Sequence, residues 1–281
     1  MKILITGGTG FIGSYVLKKL LNQKHELIVL GRRNKKDLNN LSWIHKVKYI
    51  QADINEEKED WYKFLNEPDT LIHLAWENLP NYGELFHIER NLYSDYRFIK
   101  NLVSNGLKDL TITGTCFEYG SAFGELDEKM DPKPNNPYAI AKNSLRIFLE
   151  QFKSKENFNL KWIRLFYPFG KGQSSNSILS LLDKAIEDGE EIFNMSGGEQ
   201  LRDYLHVELM ADYIIKISFQ DKINGVINCC SGNPISIRKL VEEHLKKKKE
   251  KIKLNLGFYP YPTHEPMAFW GSRKKLNKII K

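Results

Sequence analysis

The chain has 281 residues, of which 41% are hydrophobic and 27% are charged, and its formal net charge is +7. These proportions are typical of a globular protein, and no apolar run is long enough to cross a bilayer. Much of the positive charge lies in lysine runs at 246–249 and 274–275 without a nucleic-acid-binding motif, so we expect a solvated helix face and neither a nucleic-acid nor a membrane partner.

The cysteines and the amino terminus give two further expectations. Cys116, Cys229 and Cys230 have no metal-ligand spacing, which predicts free thiols and no metal site. The amino-terminal apolar segment is interrupted early by glycines, unlike a signal peptide. We therefore expect a cytoplasmic protein.

The first motif is a short apolar strand, residues 3–5, that runs into three glycines, Gly7, Gly10 and Gly13, at three-residue spacing. The first glycine permits a tight turn, the second lets the backbone approach a pyrophosphate, and the third lets a helix pack on the strand. Phe11 and Ile12 open that helix, whose free N–H groups and dipole favour an anion. The motif predicts a dinucleotide cradle.

Strands and helices alternate through the first half of the chain. Apolar strands are predicted at 26–30, 47–52, 70–74 and 110–113, and a long amphipathic helix at 87–105. This alternation predicts an α/β fold, a Rossmann-type doubly wound parallel sheet. The pattern loosens near residue 168, which predicts a dinucleotide-binding domain over 1–167 and a smaller α/β substrate lobe over 168–281, with later segments returning to the first domain.

The turn after the second strand bears on the choice of cofactor. Folds that prefer NAD place an acid at this strand end, whereas an arginine accommodates the 2′-phosphate of NADP. Here the acid is missing and Arg32 and Arg33 are present. A guanidinium can bind phosphate through two parallel hydrogen bonds, so the turn favours NADP(H), with NAD(H) possible.

The chemistry is predicted at Tyr138 and Lys142, four residues apart and on the same face of a helix. An ammonium beside a phenol favours the phenolate and lowers its pKa, and such a phenol can exchange a proton with a carbonyl or alcohol oxygen during hydride transfer. Thr115, at the end of the fifth strand, could hold the same oxygen. We expect these three residues to be catalytic.

Together these residues resemble the extended short-chain dehydrogenase/reductases of the NAD-dependent epimerase/dehydratase type, which act on nucleotide sugars. The resemblance covers almost the whole chain. It implies that Asp53 and Ile54 contact the adenine, that Leu74 and Ala75 lie under the pyrophosphate, and that Lys142 also binds ribose. It further implies substrate contacts from Tyr167 and from Arg202, on the diphosphate, and Trp76 could pack on the sugar.

Departures from the family pattern narrow the predicted reaction. Cys116 and Phe117 replace the Asp–Glu pair of the dehydratases, which argues against dehydration. Glu118 is one position late and is interpreted as structural more readily than as a substrate contact. Tyr167 stands where many relatives have Asn against the substrate. His264–Glu265–Pro266 stands where relatives often present an arginine to the phosphates, and no role is assigned to that segment.

Three functions remain open on the sequence. The arginine turn favours NADPH-dependent reduction of the C4 keto group of a dTDP-, CDP- or GDP-linked 4-keto-6-deoxyhexose for surface polysaccharides. The alternatives are a nucleotide-sugar 4-epimerase with tightly bound NAD and a non-catalytic dinucleotide-sensing protein. The resemblance also implies a homodimer formed through helices that include 87–105 and 138–152.

Overall fold

The computed structural model describes residues 1–261 and 266–281. Its strands, in chain order, are β1 Lys2–Thr6, β2 Glu26–Gly31, β3 Lys48–Gln51, β4 Thr70–His73, β5 Asp109–Thr115, β6 Gly124–Leu126, β7 Asn159–Leu165, β8 Tyr167–Phe169, β9 Ile192–Asn194, β10 Leu201–Arg202, β11 Tyr204–His206, β12 Gly225–Cys229, β13 Ile235–Ser236, β14 Lys253–Asn255 and β15 Phe269–Gly271.

The α-helices are α1 Phe11–Leu20, α2 Trp61–Phe64, α3 Tyr93–Ser104, α4 Pro137–Phe152, α5 Ile178–Glu187, α6 Val207–Phe219, α7 Ile237–Lys248 and α8 Asn277–Ile280. Short 3-10 helices lie at Lys35–Leu38, Ile44–Lys46 and Cys116–Tyr119. The long helix expected over 87–105 begins as a π-helix, His87–Leu92, before it continues as α3. Within the described ranges, no helix is both long and apolar enough to span a bilayer.

Seven strands form one parallel sheet in the order β12-β7-β5-β4-β1-β2-β3. The strand order reverses between β1 and β4, where the chain goes to β2 and β3 on one side and to β4, β5, β7 and β12 on the other. Ligands of such sheets bind beyond the carboxyl ends of the strands at this switch point. The predicted Rossmann-type fold is confirmed.

Each face of the sheet is covered by its own layer of apolar side chains. Val16, Leu17 and Ile214 belong to the cluster that joins α1 and α6 to one face. Ile99 and Leu145 belong to the cluster that joins α3 and α4 to the other face. Because both faces are buried, the central strands are continuous apolar runs, as the sequence of β1 and β2 indicated.

The later part of the chain contributes both to the sheet and to smaller structures. β12 extends the main sheet beside β7, and α6 packs against α1. In the part of the chain that the structure describes, four two-stranded sheets and a separate apolar cluster between α5 and α7 account for much of the rest. The predicted boundary at residue 168 stays a prediction, and of the segment at 264–266, His264 and Glu265 lie outside the described residues.

Candidate active site

The glycine turn after β1 brings three backbone segments into close contact. Gly7 has a φ of +72°, and a Cβ there would lie 2.7 Å from the backbone nitrogen of Ala75. A Cβ on Gly13 would lie 2.1 Å from the carbonyl oxygen of Gly7. The Gly10 N–H donates to that same oxygen, and α1 begins at the next residue. Only glycine fits these positions, and the turn leaves the helix N-terminus open to an anion.

A cavity of about 400 Å³ opens beyond this turn. Its walls include eight of the residues predicted to bind cofactor: Gly7, Gly10, Arg32, Arg33, Asp53, Ile54, Leu74 and Ala75. Phe11 and Gly13 lie in the helix behind the turn and do not line it. This glycine cradle lies at the N-terminus of α1 and at the switch point of the sheet, and a single Cβ would fill it. It therefore fits the pyrophosphate of a dinucleotide.

The cavity contains an acid that the sequence analysis missed. Glu77 lies just beyond β4, and its Oε1 is 2.8 Å from Nη1 of Arg32. The Nδ2 of Asn55 lies 3.4 Å from the same carboxylate oxygen. One of the two arginines that suggested NADP is therefore paired with a carboxylate. No sequence spacing indicates this pair, because the two residues follow different strands, β2 and β4, which lie on opposite sides of β1.

A buried histidine fixes the end of β4 next to the cradle. His73 hydrogen-bonds through Nδ1 to the Thr6 hydroxyl, at 2.8 Å, and through Nε2 to the carboxylate of Asp95 in α3. The Thr6 hydroxyl also accepts the N–H of Ala75. Both ring nitrogens are therefore engaged, and the imidazole is fully buried. His73 is thus a core histidine that holds the backbone under the cavity.

A second cavity, of about 180 Å³, adjoins the first and shares Leu74 and Trp76 with it. Thr115, Tyr138 and Lys142, the three residues expected to be catalytic, line this smaller cavity. Its other walls include Ile12 and Tyr167 and four residues that the sequence analysis did not place there: Leu79, Tyr82, Cys116 and Phe117.

The helix that carries Tyr138 and Lys142 begins where the sequence indicates. Asn136 caps α4 by accepting the Ala139 N–H at 2.9 Å, and a proline occupies the first helical position. Both features are typical of helix starts, because they satisfy or remove backbone donors that the helix cannot pair. The cap places Tyr138 in the first turn, facing the end of β5.

Tyr138 and Thr115 are joined by a side-chain hydrogen bond. Burial raises the pKa of Tyr138 far above its usual value, and the hydrogen bond with Thr115 only partly opposes this shift. The predicted lowering of this pKa by Lys142 is therefore wrong for this structure, because desolvation of the phenol dominates. The phenol is protonated at neutral pH and can act as a proton donor.

Lys142 is buried and held by two contacts. Its Nζ donates to the carbonyl oxygen of Thr113 at 2.8 Å and lies 3.9 Å from the ring centroid of Trp76. Burial lowers the pKa of Lys142 to about 8, although Asp95 and Glu118 act in the opposite direction. The ammonium thus lies between the end of β5 and the indole, on the wall of the smaller cavity.

The indole of Trp76 is itself oriented by a buried histidine. Its Nε1–H donates to Nδ1 of His87 at 3.1 Å, and Nε2 of His87 bonds to the carbonyl oxygen of Asn81 at 3.0 Å. Nδ1 therefore accepts and Nε2 donates, which fixes the tautomer. Burial lowers the pKa of His87 and favours this neutral form. The ring of Trp76 contacts Lys142 and lines both cavities. The predicted packing of Trp76 on the sugar stays a prediction.

Glu118 is structural, in line with the interpretation favoured on the sequence. It is fully buried, and its carboxylate accepts the Thr115 N–H at 2.9 Å, the Trp162 indole N–H and Nε of Arg164 at 2.8 Å. With the Thr115 hydroxyl, which accepts the Phe117 N–H, it forms a capping box. The box fixes Thr115 at the end of β5, so Glu118 positions it without lining the cavity.

Arg202 lines neither of the two cavities. It is buried in β10, where its Nη1 donates to the carbonyl oxygens of Leu201 and Met267, and its guanidinium stacks 4.6 Å from the ring centroid of Phe269. It does not line the pocket that holds Tyr138. The predicted diphosphate contact of Arg202 therefore stays a prediction.

Comparison with known proteins shows which family shares this arrangement. A model of the NAD dependent epimerase/dehydratase family matches residues 3–230. The chain belongs to this family. Its members work with a nicotinamide dinucleotide, and the match includes the glycine turn, Thr115, Tyr138 and Lys142. The family predicted from the sequence is thereby confirmed, and the chain is an NAD(P)-dependent enzyme.

The relatives of this chain catalyse different reactions. The chain is 33% identical over 280 residues, 97% of this chain and all of the relative, to a dTDP-6-deoxy-L-talose 4-dehydrogenase (NAD(+)) of Aggregatibacter actinomycetemcomitans. Among solved structures, it is similar to a UDP-N-acetylglucosamine 4-epimerase from Methanobrevibacter ruminantium M1 in complex with UDP-N-acetylmuramic acid, with a TM-score of 0.87, 24% identity, and coverage of 100% of this chain and 92% of the other.

A UDP-glucuronic acid 4-epimerase from Bacillus cereus in complex with UDP-glucuronic acid and NAD gives a TM-score of 0.85 at 21% identity, with coverage of 100% and 93%. These two structures support the fold. The relatives named here, where a cofactor is given, use NAD. The preference for NADP(H) predicted from Arg32 and Arg33 finds no support among them.

Proposed function

We propose that this enzyme reduces the C4 keto group of a 6-deoxyhexose carried on a nucleoside diphosphate, and catalyses the reverse oxidation. The observation that carries the proposal is the hydrogen-bonded pair of Thr115 and a protonated Tyr138 in a cavity that adjoins the dinucleotide cradle. The relative that is a dTDP-6-deoxy-L-talose 4-dehydrogenase supports the class of reaction.

In this proposal the Thr115 hydroxyl and the Tyr138 phenol together hold the C4 oxygen. When bound, the dinucleotide supplies the hydride to the carbonyl carbon. Tyr138 donates its proton to the oxygen as negative charge develops there, and it takes the proton back in the reverse direction. Lys142, fixed between the Thr113 carbonyl and the Trp76 ring, keeps a positive charge beside the reacting groups and opposes the cost of forming a buried phenolate.

The lining of the smaller cavity supports a 6-deoxy sugar. Leu79, Phe117 and Pro168 present apolar surface to it, and Tyr82 and Cys116 complete the wall. A methyl group at C6 gains from burial on such a wall, whereas a hydroxymethyl group would lose hydrogen bonds to water. Comparing turnover of the dTDP-, CDP- and GDP-linked substrates identifies the preferred base, and NMR of the product identifies the configuration of the sugar.

A nucleotide-sugar 4-epimerase is the second candidate, favoured by the similarity to solved 4-epimerases. An epimerase oxidises and re-reduces the same substrate, so it needs no net supply of reduced cofactor. Denaturing the purified protein and recovering stoichiometric dinucleotide would favour the epimerase. Turnover that consumes added NADH or NADPH in proportion to product would favour the reductase.

The test of the reductase is direct. Incubation with NADH or with NADPH and dTDP-4-keto-6-deoxyglucose, and with the CDP and GDP 4-keto-6-deoxyhexoses, should oxidise the cofactor, and NMR should identify a C4 hydroxyl in the product. If none of these 4-keto nucleotide sugars oxidises either cofactor, the reductase is refuted.

We also propose a homodimer through α3 and α4. Tyr93 on α3 and Ile140, Ile147 and Phe148 on α4 are 37–54% exposed and apolar or aromatic. The three α4 residues follow the i, i+7, i+8 spacing of one helix face. Two adjacent helices that both expose such side chains are suited to a symmetric contact with a second copy.

A further inference from the structure

The ion pair in the larger cavity bears on which dinucleotide the enzyme accepts. Its two partners come from neighbouring parts of the cavity wall: Arg32 follows β2, and Glu77 lies beyond β4. Gly31, Asp53 and Asn55 line the same part of the cavity. In sheets of this type, the end of the second strand is where the adenosine ribose binds and where NAD is distinguished from NADP.

We infer that Glu77 is a specificity-determining residue that selects NAD(H) by holding Arg32 and opposing a 2′-phosphate. This inference rests on the proposed dinucleotide-dependent reaction, and it names a residue that decides which form of the cofactor takes part. The acid that the end of β2 lacks is here supplied from the other side of β1.

The charges explain why the pair disfavours NADP. Oε1 of Glu77 lies 2.8 Å from Nη1 of Arg32, so the guanidinium that would bind a 2′-phosphate already has an anionic partner. A phosphate entering at this point would break that ion pair and place two anions side by side. Arg33 also lines the cavity, so a 2′-phosphate there would meet the positive charge of Arg33 and the negative charge of Glu77 together.

The second carboxylate oxygen of Glu77 explains how NAD is accepted. Over residues 1–261 and 266–281, hydrogen bonds and ion pairs to the carboxylate of Glu77 involve Oε1 alone. Its side chain is 21% exposed and faces the cavity. Oε2 is therefore available to accept a hydrogen bond from a ribose hydroxyl, the interaction by which an acid at this place favours NAD. A 2′-phosphate has no proton to donate at neutral pH.

The experiment measures dissociation constants of NAD⁺ and NADP⁺ by calorimetry, without sugar, for the full chain and its variants. We expect the unaltered enzyme to bind NAD⁺ more tightly. Glu77→Gln keeps the shape but removes the charge and frees Arg32, and it should shift the affinity ratio toward NADP⁺ by roughly threefold to thirtyfold. Adding Arg32→Ala to Glu77→Gln should abolish most of that gain.

Glu57→Gln is the matched control. Glu57 also pairs with an arginine, Arg97, at 3.2 Å, but on the surface and outside the cavity. It should leave the affinity ratio unchanged. If the unaltered enzyme prefers NADP⁺, or if Glu77→Gln binds both dinucleotides in the original ratio, the role of Glu77 is refuted while the proposed reaction stands. If neither dinucleotide binds to the unaltered enzyme, the proposed function itself fails.

Discussion

At the scale of single residues, the site depends on a phenol that burial keeps protonated. Tyr138 is hydrogen-bonded to Thr115 and enclosed by aromatic side chains, including Tyr82 and Trp76. A neutral phenol next to a carbonyl oxygen is in the state that a proton donor requires. In the proposed reaction, Tyr138 therefore starts in the protonation state that reduction requires.

Replacing Tyr138 by phenylalanine removes that proton and leaves the ring. We expect kcat for reduction to fall by about 10²- to 10⁴-fold, the usual contribution of a general acid. The dissociation constant of the dinucleotide should change little. Tyr259→Phe, which alters a tyrosine that is 54% exposed on the surface, is the control. Turnover by Tyr138→Phe within a few-fold of the unaltered rate would show that Tyr138 is not the proton donor.

Lys142 makes the enzyme sensitive to alkaline pH. Because burial lowers its pKa to about 8, the ammonium loses its proton above that pH, and we expect kcat/KM to fall there. In Lys142→Arg the charge persists to much higher pH, so this decline should disappear even if the maximal rate is lower. A pH profile of kcat/KM for both proteins checks this. An alkaline limb unchanged in the arginine variant would assign it to another group.

The stability of the fold should change in the opposite direction. The unfolded chain keeps the proton of Lys142 up to its ordinary pKa of 10.5, whereas the folded protein releases it near 8. Between these values the unfolded state binds more protons, so the contribution of this group to the free energy of unfolding rises with pH. If activity falls between pH 8 and 10.5, the titration of Lys142 has therefore not caused this by destabilising the fold.

At the scale of elements, the close approach of α1 to β1 determines whether the cradle forms. A Cβ on Gly13 would lie 2.1 Å from the Gly7 carbonyl oxygen, and this contact is with backbone that cannot rotate away. We expect Gly13→Ala to lower the free energy of unfolding by about 1–3 kcal/mol and to weaken dinucleotide binding. Thermal denaturation and calorimetry measure the two effects.

Gly83→Ala is the control for that substitution. No atom of the described residues lies within 4 Å of a Cβ built on Gly83, and its φ is not in the left-handed region. Its melting temperature should match that of the unaltered enzyme. If Gly13→Ala melts and binds as Gly83→Ala does, α1 can move away from β1, and the tight packing of the cradle is not needed.

At the scale of the whole molecule, the exposed faces of α3 and α4 predict association. Ile147→Glu places a charge among the exposed apolar residues of α4, Ile140, Ile147 and Phe148. We expect it to convert a dimer to a monomer, because the charge would be buried at the interface without a partner. Size-exclusion chromatography with light scattering measures the mass. Phe123→Glu, at a residue 69% exposed elsewhere, should leave the mass unchanged. A monomeric unaltered enzyme would contradict the dimer.

Much of this architecture could be predicted because it is local in the sequence. The apolar run of β1, the glycine spacing and the four-residue interval between Tyr138 and Lys142 each specify structure within a few residues. The predicted strands agree with the observed ones to within two residues at each end, for example Asp109–Thr115 against 110–113. The family pattern added the expectation that Thr115 faces Tyr138.

The tertiary structure alone decided features that depend on contacts between distant segments. It placed Glu77 against Arg32 across β1, Trp76 against Lys142, and the guanidinium of Arg202 against the carbonyl groups of Leu201 and Met267. It also reversed the expected pKa shift of Tyr138, since desolvation depends on every segment that encloses the phenol. The sequence by itself determined the scaffold and the reacting groups; the packing of remote segments determined their charge states and neighbours, because electrostatic energies depend on distance and burial rather than on order along the chain.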